Sequence, residues 1–172
     1  LPHKAVTDIS VDNKNNLWLV CSNADLKNRD DIVVKFDGSK FSVVTPPENF
    51  NKLKNISIYN IHIDEKDVKW ISTCDNLVWF DNENWYYMDK YSSQILYSCL
   101  GDIFSDRNEI WICSSMGGLI RYNSSKFMVW NEKNSFLPDY ISKIAVDKFG
   151  NKWIGTQTKG IIIYNPKGVV YE

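Results

Sequence analysis

The sequence predicts an all-β fold made of four copies of one four-stranded unit, and three observations carry that expectation. Tryptophans recur at Trp18, Trp70, Trp111 and Trp153, at separations of 52, 41 and 42 residues. Each stands five or six positions after an aspartate, Asp12, Asp64, Asp106 and Asp147, and three residues before each aspartate comes Ile9, Ile61, Ile103 or Ile144. Val6, Ile58, Leu100 and Ile141 precede those by three more, and each Trp is followed by an aromatic with Asp or Asn: Phe36-Asp37, Phe80-Asp81, Tyr122-Asn123 and Tyr164-Asn165. A period of about 40–45 residues, with β-branched and aromatic runs and no sustained 3.6-residue periodicity, marks the four-stranded blade of a β-propeller.

The blades are expected over residues 4–50, 55–92, 96–135 and 139–172, as a single propeller domain or a segment of one. In the first, the distance from Trp to the second aromatic is 18 residues against 10 or 11 elsewhere, so an insertion of roughly seven residues lies within Ser22–Asp31. The second carries Asp64-Glu-Lys-Asp-Val-Lys-Trp70 and unusually aromatic outer strands, with Trp79 and Trp85-Tyr86-Tyr87. The third turns through Met116-Gly117-Gly118, a β-turn and not a phosphate-cradling loop, because no helix follows. The fourth shows the unit most plainly: Ile141–Val146, a turn Asp147–Gly150, Asn151–Thr156, Gly160–Tyr164, a turn Asn165–Gly168, then Val169–Tyr171. Apolar residues on both faces of Ile161-Ile162-Ile163 suit an inner strand sandwiched between neighbouring blades.

Ile144-Ala-Val-Asp-Lys-Phe-Gly-Asn-Lys-Trp-Ile-Gly-Thr156, with Lys159-Gly-Ile-Ile-Ile-Tyr-Asn165 and Gly118-Leu-Ile-Arg-Tyr-Asn123, resembles the two-component regulator propeller repeat. Phe136-Leu-Pro-Asp-Tyr-Ile141 resembles that family's passage between blades. The likeness spans all four copies and is close in the third and fourth; the second lacks the Gly-Asn, and the first has Val20-Cys21 in place of Gly-Thr. The resemblance implies a sensor region of a bacterial hybrid histidine kinase, periplasmic or otherwise extracytoplasmic, that recognises an oligosaccharide or other small polar ligand. The family also includes propellers with no assigned role.

Composition narrows the function. The 44% hydrophobic and 24% charged residues are those of a globular chain. Twenty basic against 21 acidic residues give a net charge of −1, which argues against nucleic-acid or anionic-membrane partners. No apolar run reaches the length of about 18 residues needed for a helical span. A start at Leu1 with no positive-then-apolar leader reads as a processed or excised chain. Cys21, Cys74, Cys99 and Cys113 form no CxxC pair, and neither His3 nor His62 stands at metal-ligand spacing from them, so no metal or cofactor is expected. Cys21, Cys74 and Cys113 follow their Trp by two to four residues and read as small buried residues; a single disulfide remains open and unplaced.

No catalytic residue is assigned. The recurring Asp reads as a turn closer whose carboxylate bonds backbone N–H groups, and the recurring Trp as a blade-packing residue. Nucleophile elbow, phosphate loop and paired-His motifs are all missing. Streptogramin-lyase-like propellers use histidines near the channel, and this chain has two, one at its amino end.

Ligand contacts in propellers concentrate on two loop sets of one face. The loops joining second and third strands are Ser22–Asp31, Asp75–Asn76, Ser114–Gly118 and Gln157–Gly160. Those joining blades are Thr45–Asn55, Asp89–Gln94 and Asn131–Tyr140. The insertion reads as a solvated hairpin tip or as a binding loop reaching with Asp25, Lys27, Arg29 and Asp30. Tyr91, Trp130, Phe136 and Tyr140 offer flat faces for stacking on a sugar or caps for the blade junctions, and Gln157 and Lys159 add polar groups. Trp79 and Trp85–Tyr87 suit a contact surface for another domain or chain. Since no strand is left to interlock the ends, three arrangements are open: four unlatched blades, a segment of a larger ring, or a ring completed by a second copy. The leading function is a non-enzymatic ligand-sensing module; a protein-binding scaffold and a channel-site lyase or hydrolase are the alternatives.

Overall fold

The computed structural model describes residues 1–3, 5–22, 30–81, 83–89, 99–138, 140–165 and 170–171. The first sheet is β1 (Ala5–Val11), β2 (Leu17–Ser22), β3 (Ile32–Phe36) and β4 (Phe41–Val43). The second is β5 (Ile58–Ile63), β6 (Lys69–Thr73), β7 (Asn76–Phe80) and β8 (Trp85–Asp89). The third is β9 (Leu100–Asp106), β10 (Glu109–Ser114), β11 (Gly118–Tyr122) and β12 (Phe127–Trp130). The fourth is β13 (Ile141–Val146), β14 (Lys152–Thr156), β15 (Ile161–Tyr164) and β16 (Val170–Tyr171). In every sheet the strands follow chain order and pair antiparallel, the meander of a propeller blade. The fold is therefore all-β with four four-stranded blades. No helix among the described residues is long and apolar enough to cross a membrane.

Two compact units divide the chain, Leu1–Asp89 and Lys90–Glu172, with two blades each. In the first unit, Trp18, Val20 and Val33 pack against Ile58, Ile61, Ile71, Val78 and Phe80. In the second, Trp111, Cys113 and Leu119 pack against Ile141, Ile144, Ile154 and Ile162. Trp18 thus meets Ile58 and Ile61, and Trp111 meets Ile141 and Ile144, across the interface between consecutive blades.

Both interfaces carry the same polar clamp. A bulge early in each first strand bends it, at Val6/Asp8 and again where Leu100 and Ile103 oppose Ser114 and Ile112. Just beyond it, Asp8 Oδ2 accepts the Ile61 N–H (2.7 Å) and the Asn60 amide (2.9 Å) of the next blade. Asp102 in the same place accepts the Ile144 N–H (3.3 Å) and the Lys143 ammonium (2.8 Å). Buried Lys69 and Lys152, each one residue before a landmark Trp, sit over the preceding blade's Trp18 and Trp111 rings, at 5.0 and 4.8 Å.

Three first hairpins share one design. Asp12 accepts N–H bonds from Lys14 (2.9 Å) and Asn16 (2.8 Å) on Oδ1, and from the Asn16 amide (2.8 Å) and Trp18 Nε1 (2.9 Å) on Oδ2. Asp147 takes all four matching bonds, with Trp153 Nε1 at 3.1 Å, and Asp64 takes the two backbone bonds and Trp70 Nε1 at 3.0 Å, Val68 having no side-chain amide to donate. Burial alone would raise the Asp12 carboxyl, but the Trp18, Asn16 and Lys14 bonds outweigh it and hold it at about 2. The third hairpin differs. It is one residue shorter, with Arg107 (φ 52°) and Asn108 (φ 65°) both left-handed, so Asp106 lies opposite Glu109 in the ladder. Asp106 instead pairs with Lys152 at 2.8 Å, and the buried Trp111 Nε1 has no partner.

Trp153 departs from the deep packing expected of a landmark, being 42% exposed. It alternates with the buried Ile154, so it lies on the face of the fourth sheet turned away from the third. Cys74 corrects the reading of three buried thiols. Cys74 and Cys99 are disulfide-bonded, while Cys21 and Cys113 are free and buried.

Candidate functional site

In the first unit Asp30 and Asp31, the last residues before β3, and the blade-to-blade loop come together around a cavity of about 240 Å³. Asp30, Asp31 and Val33 supply one wall; Thr45–Glu48, Phe50, Leu53, Lys54, Ile58 and Trp85 supply the others. The blade-to-blade loop is fixed at several points. Val44 N–H bonds to the Val33 carbonyl (2.9 Å), Phe50 N–H to the Pro47 carbonyl (2.8 Å), and the Asn76 amide to the Lys52 carbonyl (3.4 Å). Phe50 leans on Trp85 at 5.3 Å, and Trp85 stacks on Phe80 at 4.0 Å. These contacts anchor an aromatic wall in the core.

Asp31 is the chemically distinctive group. It is 6% exposed, and its Oδ2 accepts the Ile58 N–H at 2.9 Å. Its Oδ1 is buried with no hydrogen-bond partner. An uncompensated carboxylate oxygen costs about 1–3 kcal/mol or more, so such groups are rare in a fold without a reason for them. Sequence reasoning took Asp31 only as the end of the insertion and did not single it out. The available signal was its position, directly before the apolar run Ile32-Val33-Val34 and at the end of the one insertion. Phe50, the aromatic of the Thr45–Asn55 loop, was passed over in the same way.

The other candidates fall in different places. Asp25, Lys27, Arg29 and Tyr91 lie outside the described residues. Asp30 is exposed at the cavity. Trp130 lines a small apolar pocket of about 60 Å³ in the second unit, with Trp111, Leu119, Phe136, Leu137, Ile154 and Tyr164. One of its faces is already covered, because it stacks on Trp111 at 5.7 Å and 13°. Tyr140, Gln157 and Lys159 are exposed where two loops meet: Gln157 N–H bonds to the Tyr140 carbonyl (3.2 Å), and Lys159 Nζ reaches the Phe136 carbonyl (3.5 Å). Trp85 is half-buried in the first unit's cavity wall, while Tyr86 and Tyr87 are exposed on the outer strand β8.

The described residues contain no group of three or more His, Cys, Asp or Glu side chains able to hold a metal ion. Burial pushes the Cys21 and Cys113 thiols up, which suppresses the nucleophilic thiolate. The strongest chemical feature among the described residues is therefore a cavity with a buried, unsatisfied carboxylate oxygen on one of its wall residues.

No protein-family model and no curated protein matches the chain. Solved structures do. The extracellular domain of the candidate hybrid two-component system BT3049 from B. thetaiotaomicron matches with a TM-score of 0.77 and 22% identity, over 100% of this chain and 22% of that one. The extracellular domain of the candidate one-component system BT4673 from the same organism matches at 0.70 and 18%, over 98% and 22%. PorZ, a surface component of the type-IX secretion system of Porphyromonas gingivalis, matches at 0.65 and 18%, over 93% and 26%. The chain thus spans about a quarter or less of the length of these proteins, and at such identities the likeness is one of fold: this chain has the blade architecture of extracellular two-component sensor domains.

Proposed function

We propose that the chain is a segment of a larger extracytoplasmic propeller that recognises a small polar ligand, a glycan among them, as the non-enzymatic sensing part of a two-component system. The observation that carries this reading is the cavity lined by Asp30, Asp31 and the blade-to-blade loop, whose wall residue Asp31 keeps a buried carboxylate oxygen with no partner. Supporting it are the fold shared with extracellular sensor domains, the fraction of their length that the chain spans, and the disulfide-bonded Cys74 and Cys99, which suit an oxidising compartment. Ligand occupancy would tie this loop to the residues before β3 and bias the packing of the first blade on the second. Trp130, Tyr140, Gln157 and Lys159 form a secondary surface in this reading.

Calorimetric titration against a glycan panel tests it. Binding that is lost in Phe50→Ala and retained in Trp130→Ala assigns recognition to the cavity; the reverse pattern moves it to the second unit. A second reading, a scaffold that binds a protein partner, is favoured by the exposed Tyr86 and Tyr87 on β8. Absence of binding across the panel would favour the scaffold.

A further inference from the structure

We infer that the first unit's cavity is a subsite for an aromatic ring carried by the ligand, which makes that ligand an aryl glycoside; this rests on the recognition reading given above. Each unit has a cavity at the same point of its blade junction, and the second unit shows what the larger one lacks. Leu119 pairs with Cys113, two residues after Trp111, and Val33 pairs with Val20, two residues after Trp18, so Leu119 and Val33 are counterparts. Trp130 pairs with Leu119, and Val44 donates its N–H to the Val33 carbonyl at 2.9 Å, so Val44 holds the place of Trp130. Both positions line their cavities.

In the second unit the Trp130 indole fills the junction. It stacks on Trp111, and about 60 Å³ is left beside it. In the first unit two smaller side chains, Val44 for Trp130 and Val33 for Leu119, leave about 240 Å³. A dry cavity of about 150 Å³ already accepts benzene, so this one has room for a ring. Its lining suits one: Val33 and Ile58 are buried and aliphatic, while Val44, Phe50, Leu53 and Trp85 are half-buried. Phe50 and Trp85 stand 5.3 Å apart and inclined at 54°, so an incoming ring can meet one by its face and the other nearer its edge. The polar lining residues Asp30, Thr45, Glu48 and Lys54 are exposed, where the sugar part of the ligand would stay in contact with water.

The test is titration calorimetry on the chain with indole, phenyl β-D-glucoside and methyl β-D-glucoside. Indole is expected to bind, and phenyl β-D-glucoside to bind about 10- to 100-fold more tightly than the methyl form and to be displaced by indole. Val44→Trp gives the first unit the side chain that fills the junction of the second. It is expected to abolish indole binding and to bring the two glucosides to equal affinity. The glucoside comparison on the wild-type chain needs no variant, so a misfolded Val44→Trp would not blunt the test. Equal wild-type affinity for the two glucosides, or indole binding that survives Val44→Trp, overturns the ring subsite; a glycan of the panel whose binding is lost in Phe50→Ala would then leave recognition standing. No binding by any of these probes or by the panel overturns both.

Discussion

Trp18 and Trp111 hold the same place in their blades and differ at one atom. Both are buried, and each has two cations over its ring: Lys35 and Lys69 for Trp18, Arg121 and Lys152 for Trp111. Trp18 Nε1 donates to Asp12, whereas Trp111 Nε1 donates to nothing. Replacement by Phe removes similar apolar area at both sites, so the difference isolates the indole N–H. Trp18→Phe is expected to be more destabilising than Trp111→Phe by about 1–3 kcal/mol in urea unfolding, because only the former breaks a bond to a buried carboxylate. Equal losses would mean that the Asp12 bond contributes nothing net. Asp12 also fixes a pH dependence. Its folded value of about 2 lies below the ordinary 3.8, so its stabilisation is complete above about pH 4 and is lost as pH falls through 2. The stability gap between wild type and Asp12→Asn is therefore expected to close over that window in acid-unfolding curves. A gap that stays constant to pH 2 would contradict the assignment.

At the scale of elements, the hairpins show what the sequence made legible and what it hid. Gly150 takes φ 82° in the fourth turn, and Asn15 (φ 62°) and Asp67 (φ 65°) occupy the equivalent positions in the first and second. Short polar side chains tolerate the left-handed region, so the motif survives without its glycine and the repeat could be read through the change. The strand order and the landmark packing were legible for the same reason: period and turn chemistry are local. The one-residue deletion before Trp111 was visible as a spacing of five. Its consequence, an aspartate carried across to the next blade's Lys152, depends on a contact 46 residues away and was not. The same limit hid Asp31, whose partner Ile58 lies 27 residues on. The third turn makes the argument testable. Its two central residues are both left-handed, which favours Asn-Gly. The double change Arg107→Asn, Asn108→Gly is expected to stabilise the second unit by about 1 kcal/mol, read as a raised Tm. A lower Tm would show that the Arg107 side chain matters more than the turn.

Over the whole molecule, the two blade interfaces described have a polar clamp, a lysine over a tryptophan and an apolar filling, and the first and fourth sheets each also carry exposed apolar side chains among the described residues. On the first sheet Val6, Ile9, Val11, Phe41 and Val43 are exposed, Ile9 by 55%. Ile9 and Val11 pair with Leu19 and Leu17, so they share one face; Leu19 and Val34 at its centre are buried, and Ile9, Val11 and Val43 toward its edges are exposed. On the fourth sheet Trp153 and Ile161 are exposed on the side away from Ile154 and Ile162. Exposed apolar faces of this kind mark sites of association. A neighbouring blade is the natural cover, since it would repeat the interface that Trp18 makes with the second sheet and Trp111 with the fourth. In isolation the chain is expected to self-associate through these faces. Sedimentation velocity should show concentration-dependent dimers or larger species, reduced by Ile9→Thr with Val11→Thr and separately by Trp153→Gln. The variants should stay folded, because the substituted side chains are exposed and cost little on their own. A wild-type chain that remains monomeric at every concentration would mean that its blade faces are satisfied without further blades, and the reading of the chain as a ring segment would fall with them.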